Sequence, residues 1–235
     1  MKNQYFADKR DYFKYDLLME LMEGVSGLRQ LTFVPMLTPD DGSGDGQFTS
    51  YDRGQRRADL YEFLQQCLRD GKRDIQELRR YFATKTFTYT AYRDCVFFEH
   101  GTRDDYFRSI PESALQSALV FFDQDTGLQV SERRMRQAGP ERYLLYSDLA
   151  PVYGRMNGDS VALIYQHLPH EDRQTFFTRI CAKLAEELAS PPPGVVSDNE
   201  IAFFAVSRQG PVAERVSEVL RDYARRHQLI VFPNC

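Results

Sequence analysis

The sequence predicts a single α/β domain, built as a doubly wound, mostly parallel, Rossmann-like sheet with a helical insertion. Unbroken apolar runs at residues 118–122 and 161–164 are typical of strands that are buried on both faces. Segments with helical spacing of apolar residues alternate with these strands, as in a parallel sheet. The chain has 235 residues, which is enough to bury one large core. We therefore expect one domain over residues 1–235, with 52–117 as a mostly helical insertion.

The elements of the first half follow from periodicity and from turn residues. Residues 11–23 carry apolar side chains at helical spacing, with Asp11 available as the N-cap. Residues 31–37 resemble a strand, and Pro35 suggests that this strand lies at an edge of the sheet or is bulged near its end. Residues 55–82 then change to charged helical patterns, which predict an inserted helical hairpin.

The second half repeats the alternation of strand and helix. Residues 129–146 are polar, rich in arginine and about as long as a functional loop. The remaining predicted elements are a helix at 147–156, a strand at 160–167, a helix after residue 170, a strand at 201–206, a helix at 212–227 and a strand at 229–232.

Composition narrows the classes of partner and location. The net charge of −4 gives no overall attraction to nucleic acid, although arginines cluster locally. No apolar run approaches the roughly 18 residues that a membrane span requires. The first six residues contain no apolar signal region, so we expect a cytoplasmic protein without a membrane partner.

Acidic residues and a histidine follow three of the predicted strands. Asp40 and Asp41 come after the first strand, Asp123 and Asp125 after the central one, and His167 ends the next. In open α/β sheets ligands bind outside the carboxyl ends of the strands, so these side chains are candidates for one site.

Two kinds of chemistry fit carboxylates at strand ends. They can bind hydrated Mg²⁺ or Mn²⁺ for phosphodiester hydrolysis, or they can hold the ribose hydroxyls and amino group of a nucleoside cofactor. His167 is a general base or a simple hydrogen-bonding residue. The residues alone do not choose between these possibilities, and no metal ligand set is assigned. The sequence contains no Walker A loop, GxSxG elbow or GxGxxG fingerprint.

Two short motifs carry a resemblance to a known family. Residues 3–15 contain Asp11 followed by Lys14, and Phe122-Asp123-Gln124-Asp125 closes the central strand. In these motifs and in the order of its parts the chain resembles the bacterial large-subunit rRNA adenine-N6 methyltransferases. It is also similar to uncharacterised bacterial proteins that open with Asn-Gln-Tyr-Phe-Gly-Asp.

The resemblance implies roles for several residues. Lys14 with Asp40 or Asp41 would contact S-adenosylmethionine, and Asp123 would accept a hydrogen bond from the amine of a target adenine. Gln124 and Asp125 stand where the family has two prolines.

Three hypotheses follow from the sequence. The first is a methyltransferase-like enzyme that acts on a nucleic acid or a nucleotide. The second is a metal-dependent nuclease or phosphoesterase with Asp40, Asp123 and Asp125 as oxygen ligands and His167 or Lys14 as base or charge stabiliser, which the added carboxylate of Asp125 favours. The third is a non-catalytic module that binds a protein partner through residues 129–146.

Overall fold

The apolar runs form the middle strands of a seven-stranded sheet in the computed structural model, which describes residues 1–232. Within that range the strands are β1 (Gln30–Pro35), β2 (Thr88–Ala91), β3 (Ala118–Asp123), β4 (Gly127–Leu128), β5 (Tyr143–Leu144), β6 (Val161–His167), β7 (Gly194–Ser197), β8 (Ile201–Ser207) and β9 (Ile230–Phe232). The α-helices are α1 (Lys9–Gly24), α2 (Ala58–Arg69), α3 (Leu78–Phe82), α4 (Arg103–Arg108), α5 (Glu132–Ala138), α6 (Tyr146–Arg155), α7 (Arg173–Leu188) and α8 (Gly210–His227).

The sheet is mostly parallel, with its antiparallel pairs at one end. The order across it is β2-β1-β3-β6-β8-β7-β9. Strands β2, β1, β3 and β6 are parallel, whereas β8 runs antiparallel to both β6 and β7, and β9 runs antiparallel to β7. Strands β4 and β5 form a separate parallel pair.

Helices cover both faces of the sheet, which confirms the doubly wound prediction. Leu119 and Phe121 of β3 pack in a core with α1, α2, α3 and α8. The alternate residues Val120 and Phe122 pack in a second core with α4, α6 and α7. Successive side chains of a strand point to opposite faces, so an unbroken apolar run is what a strand between two helical layers requires.

The chain reverses its direction of travel across the sheet between β1 and β3. From β1 it passes to β2 on one side, and it then returns to β3 on the other side. Such a topological switch point leaves a crevice outside the carboxyl ends of the two strands. Pro35 of β1 and Asp123 of β3 are neighbours at this edge. We call the space outside them the strand-end crevice.

Several boundaries differ from the predictions. Residues 52–117, which we expected to be a mostly helical insertion, also contain β2, which pairs with β1 in the central sheet. Strand β1 lies inside the sheet, and Pro35 is tolerated because it is its last residue. The cap of α1 is Asp8, whose side chain accepts a hydrogen bond from the Asp11 amide. Residues 129–146 include α5 and β5 in place of a long loop.

Candidate functional site

The predicted site residues Lys14 and Asp123 meet in the strand-end crevice. Helix α1 packs over this edge of the sheet and directs Lys14 inward, so that its Nζ lies 3.0 Å from Asp123 Oδ1 and 3.2 Å from Asp123 Oδ2. Lys14 Nζ is also 3.2 Å from Asp11 Oδ1, one helical turn earlier. The side chain of Lys14 is 4% exposed and both carboxylates are fully buried, so the three charges form a buried ion cluster.

The ionisation of this cluster is set by burial and by its own charges. Burial opposes the charge on Lys14, but the carboxylates of Asp123 and Asp11 outweigh it and hold the pKa of Lys14 well above its usual value. Burial raises the pKa of Asp11 to about 7, even though Lys14 lies beside it and Tyr15 donates a 2.8 Å hydrogen bond to it. Lys14 is therefore a fixed cation near neutral pH and cannot act as a base or a nucleophile there.

Asp125 also lies at the carboxyl ends of the strands, but it has different partners from Asp123. Its Oδ2 accepts a 2.6 Å hydrogen bond from Arg142 Nε and lies 3.4 Å from Lys2 Nζ. Burial opposes ionisation of this carboxylate, but the positive charges of the Met1 amino group, Arg142 and Lys2 outweigh burial and lower the pKa of Asp125. Both strand-end aspartates of the central strand are therefore already paired with cations.

Asp40 and Asp41 lie on an exposed loop, outside the crevice. Lys2 Nζ lies 2.6 Å from Asp41 Oδ2, and this contact holds the pKa of Asp41 well below its usual range. Asp40 Oδ1 accepts a 3.0 Å hydrogen bond from the Gln4 amide, and the Gln4 side chain donates to Asp41 Oδ1. The two aspartates thus hold residues 1–5, which we call the N-terminal segment, and reach the crevice only through Lys2.

The N-terminal segment fills the crevice between β1 and β3. Met1 is 1% exposed, with its nitrogen 3.1 Å from the Met36 carbonyl and its own carbonyl accepting a hydrogen bond from the Thr38 amide. Asn3 Oδ1 accepts a hydrogen bond from the Ile75 amide. The segment therefore takes up the place where a Rossmann-like sheet ordinarily accepts its ligand.

A cavity of about 10 Å³ remains behind the N-terminal segment, lined by Met1, Tyr5, Asp8, Arg10, Asp11, Lys14, Gln124, Asp125, Tyr165 and His167. That volume is about the smallest that can hold one water molecule. Three buried oxygens of its walls, Asp11 Oδ1, Gln124 Oε1 and Asp125 Oδ1, form no hydrogen bond within the described residues. One water molecule in the cavity could donate to at most two of these three acceptors.

His167 closes the far wall of this cavity. Its Nε2 lies 2.9 Å from the Tyr165 hydroxyl, and Lys14 Nζ lies 4.3 Å from the centre of the Tyr165 ring. Burial, reinforced by the nearby cations Arg10 and Lys14, lowers the pKa of His167 to about 4. The imidazole is therefore neutral at physiological pH, with one ring nitrogen that donates a hydrogen bond and one that accepts.

We expect His167 to make the protein less stable in acid. The unfolded chain binds a proton on this residue below pH 6.5, whereas the folded chain does so only near pH 4. The stabilisation is complete above the unfolded pKa and is lost as the pH falls through the folded one, by about 3 kcal/mol. Urea unfolding of wild type and His167→Gln at pH 7 and pH 4.5 measures this. A difference between the two proteins that does not change with pH would contradict it.

Neither predicted cofactor fits the site as it stands. A cavity of about 10 Å³ does not accommodate S-adenosylmethionine, since small-molecule sites occupy roughly 300–1,000 Å³. Among residues 1–232, no group of three or more His, Cys, Asp or Glu side chains could hold a metal ion. Asp40 is on the surface, while Asp123 and Asp125 are each paired with a different cation, Lys14 and Arg142.

Sequence reasoning did not anticipate several members of the site. Lys2 and Arg142 neutralise Asp125 but lie in polar stretches with no strand or helix period. Tyr165 could have been found, because it is two residues before His167 on one strand and therefore points to the same face.

Comparison with protein-family models, with curated proteins and with solved structures gives no match. No α-helix in the described part of the chain is both long and apolar enough to cross a membrane.

Proposed function

We propose that this protein is a Rossmann-like enzyme of the methyltransferase type that acts on a nucleotide or a nucleic acid. The observation that carries the proposal is the ion pair between Lys14 and Asp123 in the strand-end crevice. The resemblance to the rRNA adenine-N6 methyltransferases requires a lysine of the first helix and an aspartate of the central strand to serve one site. These residues are 109 positions apart, and their side chains lie in contact at the switch point of the sheet.

The state described here is closed to ligands of cofactor size. We propose that S-adenosylmethionine enters only when the N-terminal segment leaves the crevice, and we assign no chemical step to it. Phe6 is fully buried and Arg73 donates to its carbonyl, so in this proposal the chain stays anchored there while residues 1–5 move. A ligand that binds only the open state has its apparent affinity reduced by the fraction of molecules that are open.

The charge distribution supports this proposal over the metal-dependent alternative. A divalent ion beside Asp125 would have to displace or tolerate the cations of Lys2 and Arg142, which already neutralise that carboxylate. Lys14 occupies both oxygens of Asp123 in the same way. Phosphodiester hydrolysis that depends on Mg²⁺ or Mn²⁺ therefore remains only as an outcome of the test.

Calorimetric titration with S-adenosylmethionine tests the proposal. The opened variant Lys2→Ala/Gln4→Ala removes the side-chain contacts to Asp41 but leaves Phe6 in place. We expect it to bind at least 10-fold more tightly than wild type, because weaker closure raises the open fraction. The matched control is Lys9→Ala, an exposed lysine of α1.

The same variants decide between the alternatives. If neither wild type nor the opened variant binds S-adenosylmethionine, the methyltransferase proposal is wrong. Binding of Mn²⁺ that is lost in Asp123→Asn would then indicate the hydrolase. The non-catalytic module would be indicated if the chain binds neither ligand but still binds a protein partner. Binding of that partner should then be lost when residues 129–146 are changed.

A further inference from the structure

A second and larger cavity lies on the other side of His167. It has a volume of about 520 Å³, within the range of small-molecule sites, and is bounded by the β4–β5 pair, the end of β6 and the start of α7. We call it the side pocket. His167 lines both the side pocket and the small cavity of the strand-end crevice. A molecule bound in the side pocket would therefore touch the proposed site without passing the N-terminal segment.

The inner walls of the side pocket are apolar and aromatic. Tyr143, Phe176, Leu128 and Ile180 line it, and each is at most 7% exposed. Flat apolar walls suit a planar ring, which stacks on or slides between aromatic side chains. The Tyr143 hydroxyl forms no hydrogen bond with any described residue, so it is available to a polar atom at the edge of such a ring.

The floor of the side pocket is built by a close backbone contact. Gly127 adopts φ +154°, and a Cβ atom there would lie 2.3 Å from the side-chain nitrogen of Gln166. Gln166 in turn accepts a 2.9 Å hydrogen bond from the Leu128 amide and donates to the His167 carbonyl. These contacts fix β4 against the end of β6 and place Leu128 and His167 side by side.

The rim of the pocket carries a net positive charge. Arg134 is exposed and has no ion pair among residues 1–232. Arg179 lies 5.4 Å from the centre of the Phe176 ring and pairs at 2.8 Å with Glu171, which also lines the pocket. Since His167 is neutral, these three charges leave the rim with one excess positive charge, at Arg134. A guanidinium without a partner is a suitable ligand for a phosphate or carboxylate group.

We propose that the side pocket binds a free mononucleotide, with its base against Tyr143 and Phe176 and its phosphate on Arg134. The inference rests on the proposed function and names its substrate class as a small nucleotide. Size is compatible with the small molecule, since a volume of about 520 Å³ lies in the range of small-molecule sites. Charge also favours it, because the chain carries a net charge of −4 and the rim offers one unpaired arginine, whereas a nucleic-acid strand requires a row of them.

The test titrates the full-length wild-type chain with the four 5′-ribonucleoside monophosphates, without S-adenosylmethionine. We expect at least one to bind with a dissociation constant below 1 mM, in the ordinary range for enzyme substrates. The matching nucleoside and inorganic phosphate should each bind at least 10-fold more weakly. Arg134→Gln should weaken nucleotide binding at least 10-fold, whereas Arg133→Gln, its exposed neighbour on α5, should change it less than 2-fold.

Three results would overturn the assignment. They are the absence of binding by all four monophosphates, equal binding by Arg134→Gln and wild type, and binding of inorganic phosphate as tight as that of the nucleotide. Tyr143→Phe removes only the hydroxyl and should alter the preference among the bases.

The two proposals fail separately. If the protein binds a nucleotide but the opened variant does not bind S-adenosylmethionine, the side-pocket proposal stands and the methyltransferase proposal is refuted. If the opened variant binds S-adenosylmethionine but the protein binds no nucleotide, the methyltransferase proposal stands and the side-pocket proposal is refuted.

Discussion

Replacing Lys14 with methionine is expected to lower the free energy of unfolding by about 3–5 kcal/mol. Methionine preserves most of the side-chain volume, so the loss comes from the charge rather than from a cavity. Lys14 is the cation between Asp123 and Asp11, and without it the buried Asp123 carboxylate loses its counter-ion and the buried Asp11 loses its neighbouring positive charge. Urea unfolding at pH 7 measures the change.

Two further variants make this prediction specific. Lys9→Met removes an exposed charge from the same helix and should alter the free energy of unfolding by less than about 0.5 kcal/mol. The double variant Lys14→Met/Asp123→Asn removes the Asp123 carboxylate that has lost its cation. Its free energy of unfolding should be at least about 1 kcal/mol higher than that of Lys14→Met. A loss below about 1 kcal/mol for Lys14→Met would mean that water reaches the cluster.

Replacing Arg103 with methionine is expected to destabilise the protein by a similar amount, about 3–5 kcal/mol. Arg103 is 6% exposed in its side chain and pairs with buried Asp148 at 3.0 Å. It also donates a 2.7 Å hydrogen bond to the Tyr143 carbonyl. Its loss leaves a buried carboxylate and a backbone acceptor without their donor, and frees the wall of the side pocket that Tyr143 forms.

Arg108→Met is the matched control for this prediction, since that arginine is 75% exposed on the same helix and should be nearly neutral. Chemical denaturation gives both stability values, and titration with the nucleotide that wild type binds gives the effect on the side pocket. If Arg103→Met unfolds like wild type, the ion pair with Asp148 contributes little. The wall of the side pocket would then be held by its apolar contacts alone.

The centre of the fold could be predicted because burial on both faces leaves a plain signal. The apolar runs of β3 and β6 have helices on both sides, and no other common element requires so many consecutive apolar residues. The edge of the sheet gave a weaker signal. Strand β2 stands at the end of the strand order, beside β1, and is partly exposed, so the sequence around it shows little alternation of apolar and polar residues. Strand β7 is only four residues long and follows three consecutive prolines, which are typical of a surface connection.

The candidate site was predictable where it depends on strand ends. Asp123, Asp125 and His167 follow neighbouring parallel strands, so their placement at one edge follows from topology. The N-terminal segment was not predictable, because its contacts depend on distant partners. Lys2 pairs with Asp41, 39 residues away, and with Asp125, much farther along the chain. Such pairs leave no local periodicity, and only the folded arrangement reveals that cations already occupy the aspartates.

The packing of α1 has a consequence for how the chain is made. Asp16 of α1 accepts a hydrogen bond from Tyr223 of α8, 207 residues later, and the Phe13 and Tyr223 rings are stacked. Helix α1 leaves the ribosome early, yet part of its apolar face has no cover until α8 has been synthesised. At about 5–20 residues per second this takes roughly 10–40 s. During that time the apolar side chains of α1 that α8 later covers, such as Phe13, remain without this cover.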